Sequence, residues 1–150
     1  PLADIVVLNE GEAETLVGLS DEAAVRALLA LGPMQVVLTR GGNGALLGTR
    51  VPGSGAGPAL TQQATSEQNS ISIENIPAES ATVADTTGAG DTYLGTALGS
   101  AILRGTSLDT RALRHAAEAA AITVSRFGTR SAFPEEFALT GILRTGEERL

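Results

Sequence analysis

The chain lacks cysteine, tryptophan and lysine, and it contains a single histidine. Without cysteine it can form no disulfide, no thiolate nucleophile and no cysteine-ligated zinc site, and we expect a cytoplasmic location. All ten basic residues are arginines. This excludes a Walker-type phosphate loop and Schiff-base chemistry, because both need lysine. Any anion that the chain binds must therefore be held by backbone amides, arginine or a metal ion.

Charge and hydropathy exclude two further classes of partner. Seventeen acidic against ten basic residues give a net charge of −7, which opposes the field that non-specific nucleic-acid binding requires. No apolar run approaches the roughly 20 residues of a membrane-spanning helix. We therefore expect a globular protein of one domain that binds neither nucleic acid nor a membrane. Because it begins at Pro1, without an initiator methionine, we also expect it to be cut from a longer chain.

Short apolar runs alternate with helical patterns along the chain. DIVVLN predicts a strand before a helix, SDEAAVRALLALGP a second helix, and QVVLTR and ALLGT two strands around the turn GGNG. ISIEN and ATVAD predict two more strands. TTGAGD is expected to open one long helix, and Ser107 to cap a second, LDTRALRHAAEAAAITVSR. This alternation favours a layered α/β fold. The segment at about 51–70, rich in Gly, Ser and Pro, predicts a flexible loop without chemistry.

The stretch TTGAGD combines an anion-binding turn with an acid. Gly88 and Gly90 remove side chains where a strand turns into a helix, so successive amides can point at one ligand, and the helix N-terminus adds partial positive charge. Asp91 lies in the first helical turn, where its carboxylate could accept a proton from a hydroxyl. The alternative is an ordinary helix start with an acid that suits the dipole.

DTTGAGD resembles the second signature of the ribokinase-like, or PfkB, family of carbohydrate kinases. PLADIVVLNEGEAETL, LTRGGNGALL and AAAITVSRFGTRSAFP resemble further family segments in the same order. The resemblance implies a three-layer α/β/α sandwich with a mostly parallel sheet and a β-hairpin, of which residues 1–150 form the C-terminal part. It also implies ATP-dependent phosphorylation of a sugar hydroxyl with Mg²⁺, and K⁺ as a second cation.

D-ribose is the preferred substrate on this resemblance, because DTTGAGDT and GTRSAFP are most similar to ribokinases. The alternatives are another PfkB sugar or nucleoside kinase, acting on fructose, 2-keto-3-deoxygluconate or adenosine, or a non-catalytic fragment that binds nucleotide. The family's sugar-contacting residues and lid lie mainly in the N-terminal half. We therefore expect the isolated chain to be inactive, and the resemblance allows a homodimer formed through that lid.

The resemblance assigns roles residue by residue. Asp91 is the catalytic base that meets the sugar, and the amides of Gly88, Ala89 and Gly90 stabilise the transferring phosphoryl group. The nucleotide side comprises Asn9, Thr39, Arg40, Gly41, Gly42, Asn43 and Gly44, together with Gly90 and Asp91. Glu12 completes the N-x-x-E motif that places magnesium. From spacing alone, however, Asn9 and Glu12 favour a helix capping box, and GGNG favours a simple tight turn.

The resemblance also implies a potassium site beside the anion-binding turn. Its expected ligands are Asp85, Thr87, Thr123, Arg126 and Gly128, the last three through backbone carbonyl oxygens. Ala132 replaces a serine often found there, which places one ligand in doubt, and Asp85 could instead cap the turn through an Asx hydrogen bond.

Two features of the second long helix are interpreted as packing. They are the lone His115 and the alanine stripe of Ala116, Ala117, Ala120 and Ala121.

Overall fold

The computed structural model describes residues 2–51 and 70–145. The strands in these residues are β1 (Ile5–Asn9), β2 (Gln35–Thr39), β3 (Ala45–Val51) and β4 (Ser70–Ile76). The helices are α1 (Glu10–Val17), α2 (Asp21–Ala30), α3 (Ala89–Arg104), α4 (Thr110–Val124) and α5 (Glu136–Arg144). Apart from its end residues, which belong to β3 and β4, the loop predicted at about 51–70 lies outside the described residues. No helix within them is long and apolar enough to cross a membrane.

Helices cover both faces of the sheet, which confirms the three-layer arrangement. Successive side chains of a strand point to opposite faces, and β2 is buried on both sides. Val36 and Leu38 pack with the residues of α1 and α2, whereas Val37 packs with α3 and α4. This is why the apolar run in β2 is continuous rather than alternating.

The expectation of a mostly parallel sheet is wrong for the described residues. The strand order is β1-β2-β3-β4. Only β1 and β2 are parallel, whereas β3 pairs antiparallel with both of its neighbours. The cause is local, because a 3₁₀ turn at Gly41–Asn43 joins β2 directly to β3 as the predicted hairpin.

The strand predicted at ATVAD does not form. Residues 77–88 belong to no strand, and the amides of Ala84 and Asp85 donate to the carbonyl of Val124, at 2.7 and 3.2 Å. The segment therefore hydrogen-bonds to the end of α4 instead of a neighbouring strand. An apolar run predicts a strand only where a partner edge is available, and periodicity does not reveal that edge.

The start of α4 and the segment that follows this helix also differ from expectation. Asp109, rather than Ser107, caps α4, and its carboxylate accepts from the amide of Ala112 at 2.8 Å. Helix α5 was not predicted. Its sequence, EFALTGILR, carries an acid in its first turn and an arginine in its last. These are ordinary signals of a helix start and end.

Candidate active site

The glycine turn before α3 adopts the backbone that its sequence requires. Gly88 has φ of +82°, in the left-handed region, and it immediately precedes the first residue of the 16-residue helix. A Cβ added at Gly88 would lie 3.0 Å from Cε1 of Phe133. Both observations explain why glycine stands at this position. The turn thus delivers the amides of Ala89 and Gly90 at the positive end of a helix.

Asp91 follows these amides in the first turn of α3 and is exposed. Within residues 2–51 and 70–145 its carboxylate has no hydrogen bond or ion pair. A Cβ added at Gly90 would meet no atom within 4 Å, so the space beside Asp91 is open. The acid and the amide of Gly90 are therefore accessible to a ligand, whereas the amide of Ala89 donates to the carbonyl of Thr86 at 3.2 Å.

The glycine turn opens onto a cleft of about 500 Å³, a size typical of small-molecule sites. One wall is apolar and comes from α4. The floor includes Tyr93 of α3, and the far side comes from the β2–β3 turn and the segment after β4. The lining residues are Thr39, Gly41, Gly42, Gly44, Pro77, Ala78, Glu79, Ser80, Ala81, Val83, Thr86, Ala89, Gly90, Tyr93, Ala117, Ala120, Ala121 and Val124. Because arginine is absent from this lining, an anion here would meet backbone amides.

The β2–β3 turn reaches the cleft only in part. Thr39, Gly41, Gly42 and Gly44 line it, whereas Arg40 and Asn43 do not.

The guanidinium of Arg40 points elsewhere. It donates to Asp21 at 3.2 Å and to Asn75 at 2.5 Å, which ties the turn to α2 and β4. In this arrangement Arg40 stabilises the turn from outside the cleft.

Gly44 fixes the segment that follows β4. Its φ is +84°, and an added Cβ would lie 2.0 Å from the carbonyl oxygen of Ile76 and 2.8 Å from the amide of Ala78. Only glycine permits this contact. Since residues 77–81 line the cleft, the close approach at Gly44 sets the position of that side of the cleft.

Asn9 and Glu12 form the capping box that their spacing favours. The side chain of Asn9 accepts from the amide of Glu12 at 2.9 Å, and Oε2 of Glu12 accepts from the amide of Asn9 at 2.8 Å. Asn9 pairs with Thr39 where the parallel strands β1 and β2 end. The box is therefore placed at the same edge of the sheet as the β2–β3 turn.

Asp85 connects the glycine turn to the loop after α4. One carboxylate oxygen accepts from the amide and the hydroxyl of Thr87, at 2.9 and 2.7 Å, and the other accepts from the amide of Gly128 at 3.2 Å. The Thr87 amide, followed by the Thr87 hydroxyl and the Gly128 amide, lowers the pKa of Asp85 below its ordinary value. Of the five expected cation ligands, these three come together.

For Thr123 and Arg126, which were expected to bind through backbone oxygen, the structure shows side-chain contacts within the protein. Thr123 is fully buried, and its hydroxyl lies 3.0 Å from that of Thr92. The guanidinium of Arg126 donates to the carbonyl of Phe133 at 3.4 Å. Ala132 is fully buried, where a serine would add a hydroxyl to a sealed position.

The packing interpretation holds for His115 but only partly for the alanines. His115 is buried between Ser100, at 2.8 Å, and the carbonyl of Thr145, at 3.1 Å. Ala116 lies in the core, whereas Ala117, Ala120 and Ala121 also line the cleft.

Sequence reasoning missed this apolar wall and the segment 77–83. The small side chains of α4 are a signal for the wall, since they leave room for a ligand. No comparable signal exists in the segment 77–83.

Comparisons with known proteins identify a family and several relatives of the chain. The family model of pfkB family carbohydrate kinases matches residues 1–136. A bifunctional ribokinase/ribose-5-phosphate isomerase A from Fructilactobacillus sanfranciscensis is 29% identical over 148 residues, covering 95% of this chain and 24% of that protein.

Two solved structures resemble the fold over nearly the whole chain. The ribokinase of Thermotoga maritima is 25% identical with a TM-score of 0.68, covering 93% of this chain and 42% of that one. The Arabidopsis thaliana ribokinase, complexed with ribose and ATP, is 28% identical with a TM-score of 0.66, covering 94% and 41%. The chain thus spans less than half the length of these relatives. Since the family model covers most of its residues, the chain belongs to the pfkB family of carbohydrate kinases.

Proposed function

We propose that the protein containing this chain transfers the γ-phosphoryl group of ATP to a sugar hydroxyl, with D-ribose as the preferred acceptor. The observation that carries the proposal is the exposed carboxylate of Asp91, which directly follows Ala89 and Gly90 of the cleft lining and has no hydrogen bond or ion pair within the described residues. The similarity to ribokinases, one of them solved with ribose and ATP, favours ribose.

In the proposed reaction Asp91 accepts the proton of the attacking sugar hydroxyl. The sugar oxygen forms a bond to the γ-phosphorus, the bond from that phosphorus to the bridging oxygen breaks, and ADP leaves. The amides of Gly88, Ala89 and Gly90 donate to the oxygens of the phosphoryl group as their charge redistributes, and for Ala89 this contact replaces its hydrogen bond to the carbonyl of Thr86. Donors fixed before the reaction stabilise the transition state without a cost of reorganisation.

The cleft has the features that a nucleotide requires. The alanines of α4 and Val124 offer an apolar surface for a flat base, and Thr39, Gly41, Gly42 and Gly44 bring backbone groups to the opposite side. Arg40 and Asn43 lie behind this surface and support the turn instead of contacting the ligand.

Glu12 fits a magnesium ion that is held mainly by phosphates and water. Only one of its two carboxylate oxygens is used by Asn9, and Mg²⁺ commonly takes one or two protein carboxylates. Within the described residues no three His, Asp or Glu side chains form a metal-binding group. When bound, the ion neutralises phosphate charge, and Asn9 with Glu12 would hold it at this edge of the sheet.

The carboxylate of Asp85 has room for one contact to a potassium ion. A carboxylate offers about four lone-pair sites, and Thr87 and Gly128 use three of them. Backbone oxygens of Thr123, Arg126 and Gly128 would complete the site. Titrating K⁺ against Na⁺ at constant ionic strength tests this proposal. We expect K⁺ alone to raise kcat, and an identical response to both ions would rule the site out.

Replacement of Asp91 tests the proposed base. In the full-length protein, Asp91→Asn is expected to lower kcat by about 10²- to 10⁴-fold with little change in ATP binding. Glu136→Gln is the matched control, because Glu136 is also an exposed acid in the first turn of a helix but, unlike Asp91, it does not directly follow residues that line the cleft. A kcat for Asp91→Asn equal to that of the control would refute the assignment.

A panel of acceptors tests the choice of sugar. Ribose, fructose, 2-keto-3-deoxygluconate and adenosine are compared by kcat/KM at fixed ATP. We expect the highest kcat/KM for ribose. A higher value for another acceptor would support the kinase activity but identify that acceptor as the preferred substrate. ATP binding without phosphorylation of any acceptor would favour the non-catalytic alternative.

A further inference from the structure

Helices α3 and α4 are joined at both ends by buried pairs of polar side chains. At one end, the hydroxyls of Thr92 and Thr123 lie 3.0 Å apart, and at the other, Ser100 lies 2.8 Å from His115. All four side chains are buried. The two pairs therefore fix how the helices are rotated and shifted against each other.

Most of the surface between these pairs is built from small apolar side chains. The core contacts of α3 and α4 include Ala97, Ala101, Ala112 and Ala116. Burial of such side chains is favourable but not directional, so it resists rotation of a helix only weakly. A hydrogen bond has a preferred distance and angle. The polar pairs therefore restrict the relative rotation of the two helices, which apolar packing resists only weakly.

The hydroxyl of Thr123 lies within hydrogen-bonding distance of two groups. It is 3.0 Å from the hydroxyl of Thr92 and 3.3 Å from the carbonyl of Ala119. Because each hydroxyl has one proton, both bonds form together when Thr92 donates to Thr123. The amide of Thr92 donates in turn to the carbonyl of Gly88 at 2.9 Å. Thr92 is thus bonded both to the glycine turn and to α4.

Thr92 also fixes the direction of its neighbour Asp91. Adjacent residues of an α-helix are about 100° apart around its axis. With Thr92 held against α4, Asp91 faces solvent beside the glycine turn. Loss of the hydroxyl pair would let the first turn of α3 rotate, and that rotation would move the Asp91 carboxylate relative to the amides.

We propose that the buried Thr92–Thr123 hydroxyl pair positions Asp91 for proton transfer, so that Thr92 and Thr123 are positioning residues of the reaction. This inference rests on the proposed kinase function. It gives Thr123 a side-chain role that differs from the backbone role expected for a cation ligand.

The test uses the full-length protein and removes the bond from either side. Thr92→Val and Thr123→Val nearly preserve shape and are each expected to lower kcat by about 10- to 100-fold, because small displacements of a reacting group are costly. The KM for ATP should stay within about twofold, since the nucleotide contacts are unchanged. Thr92→Ser retains the hydroxyl and should restore most of the lost kcat.

Two comparisons separate positioning from general destabilisation. Ser100→Ala breaks the polar pair at the far end of the same helices, and it should lower the unfolding midpoint without lowering kcat. In an Asp91→Asn background, Thr92→Val should cause no further loss of the residual rate, because no base remains to be positioned. An equal loss in both backgrounds, or an equal kcat loss in Ser100→Ala, would overturn the inference.

The outcomes also distinguish this inference from the proposed function. A wild-type protein that phosphorylates no sugar, or one that does not depend on Asp91, would refute the function itself. Turnover that depends on Asp91 but is the same in folded Thr92→Val and Thr123→Val would refute only the positioning role. If one valine variant does not fold, the other decides.

Discussion

Replacement of Gly90 by alanine should raise stability and lower activity. A Cβ at this position would meet no atom within 4 Å, and Gly90 lies within α3 without a positive φ. Alanine is better than glycine in a helix by roughly 0.5–1 kcal/mol, because glycine loses more backbone entropy on folding. Near the helix N-terminus we expect the lower part of this range. The empty space beside Gly90 therefore has no role in the folding of the free chain.

The expected effect on catalysis has the opposite sign and is larger. If the amide of Gly90 donates to the transferring phosphoryl group, a methyl group on Gly90 would hold that group away from its donors. A displacement of about 1 Å can lower a rate by roughly 10²-fold, which corresponds to about 2.7 kcal/mol of transition-state stabilisation. We expect kcat to fall by this factor in the full-length protein.

Gly95→Ala is the matched control for this measurement. Gly95 lies in the same helix, and a Cβ there would also meet no atom within 4 Å, but Gly95 does not line the cleft. Urea unfolding should report stabilisation in both variants, smaller in Gly90→Ala, and steady-state kinetics should report a loss of kcat only in Gly90→Ala. An unchanged kcat in Gly90→Ala would refute the reasoning, and the glycine turn would then be purely structural.

Three other predictions concern residues around the cleft. Gly44→Ala should destabilise the fold by about 2 kcal/mol or more in urea unfolding. The added Cβ would overlap the carbonyl oxygen of Ile76, and the φ of residue 44 is positive. An unchanged unfolding midpoint would contradict this contact. Tyr93→Phe should leave stability unchanged or raise it by about 1 kcal/mol, because the buried Tyr93 hydroxyl has no partner within the described residues, and clear destabilisation would indicate a missing partner. The pKa of Asp85 is lowered in the folded state, so its contribution to stability is present above its ordinary pKa of 3.8 and is lost as the pH falls through the folded value. Between about pH 5 and about pH 2, the unfolding midpoint should therefore change less with pH in Asp85→Asn than in the wild type. The same pH dependence in both proteins would contradict this contribution of Asp85 to stability.

The features that sequence predicts well here are local and contiguous. Gly88, Gly90 and Asp91 lie within four residues, so the turn, the helix start and the acid are specified together by one stretch of backbone. The hairpin and the capping box of Asn9 and Glu12 are local for the same reason. Alternation of strands and helices predicted a layered α/β fold, and the family resemblance added the three-layer arrangement.

The features that sequence missed depend on residues far apart in the chain. Arg40 reaches Asp21 and Asn75, which lie 19 residues before and 35 residues after it. Its neighbourhood in the sequence gives no sign that its guanidinium leaves the cleft. The alanines of α4 line the cleft because α4 packs beside α3, and a small-residue stripe in a helix is compatible with packing alone. The ATVAD segment failed as a strand for the same reason, since a missing partner edge cannot be read from periodicity.

The location of Asp91 raises an electrostatic problem that the proposed mechanism resolves. The helix N-terminus attracts both the carboxylate and a phosphoryl group, but the two anions repel each other. At about 4 Å and an effective dielectric constant of about 20, this repulsion is about 4 kcal/mol, which exceeds the 0.3–1 kcal/mol typical of a helix dipole. When Asp91 accepts the sugar proton its charge is neutralised, and the repulsion decreases as the transition state is approached. An acid at this position therefore disfavours the ground state more than the transition state, and only that difference accelerates the reaction.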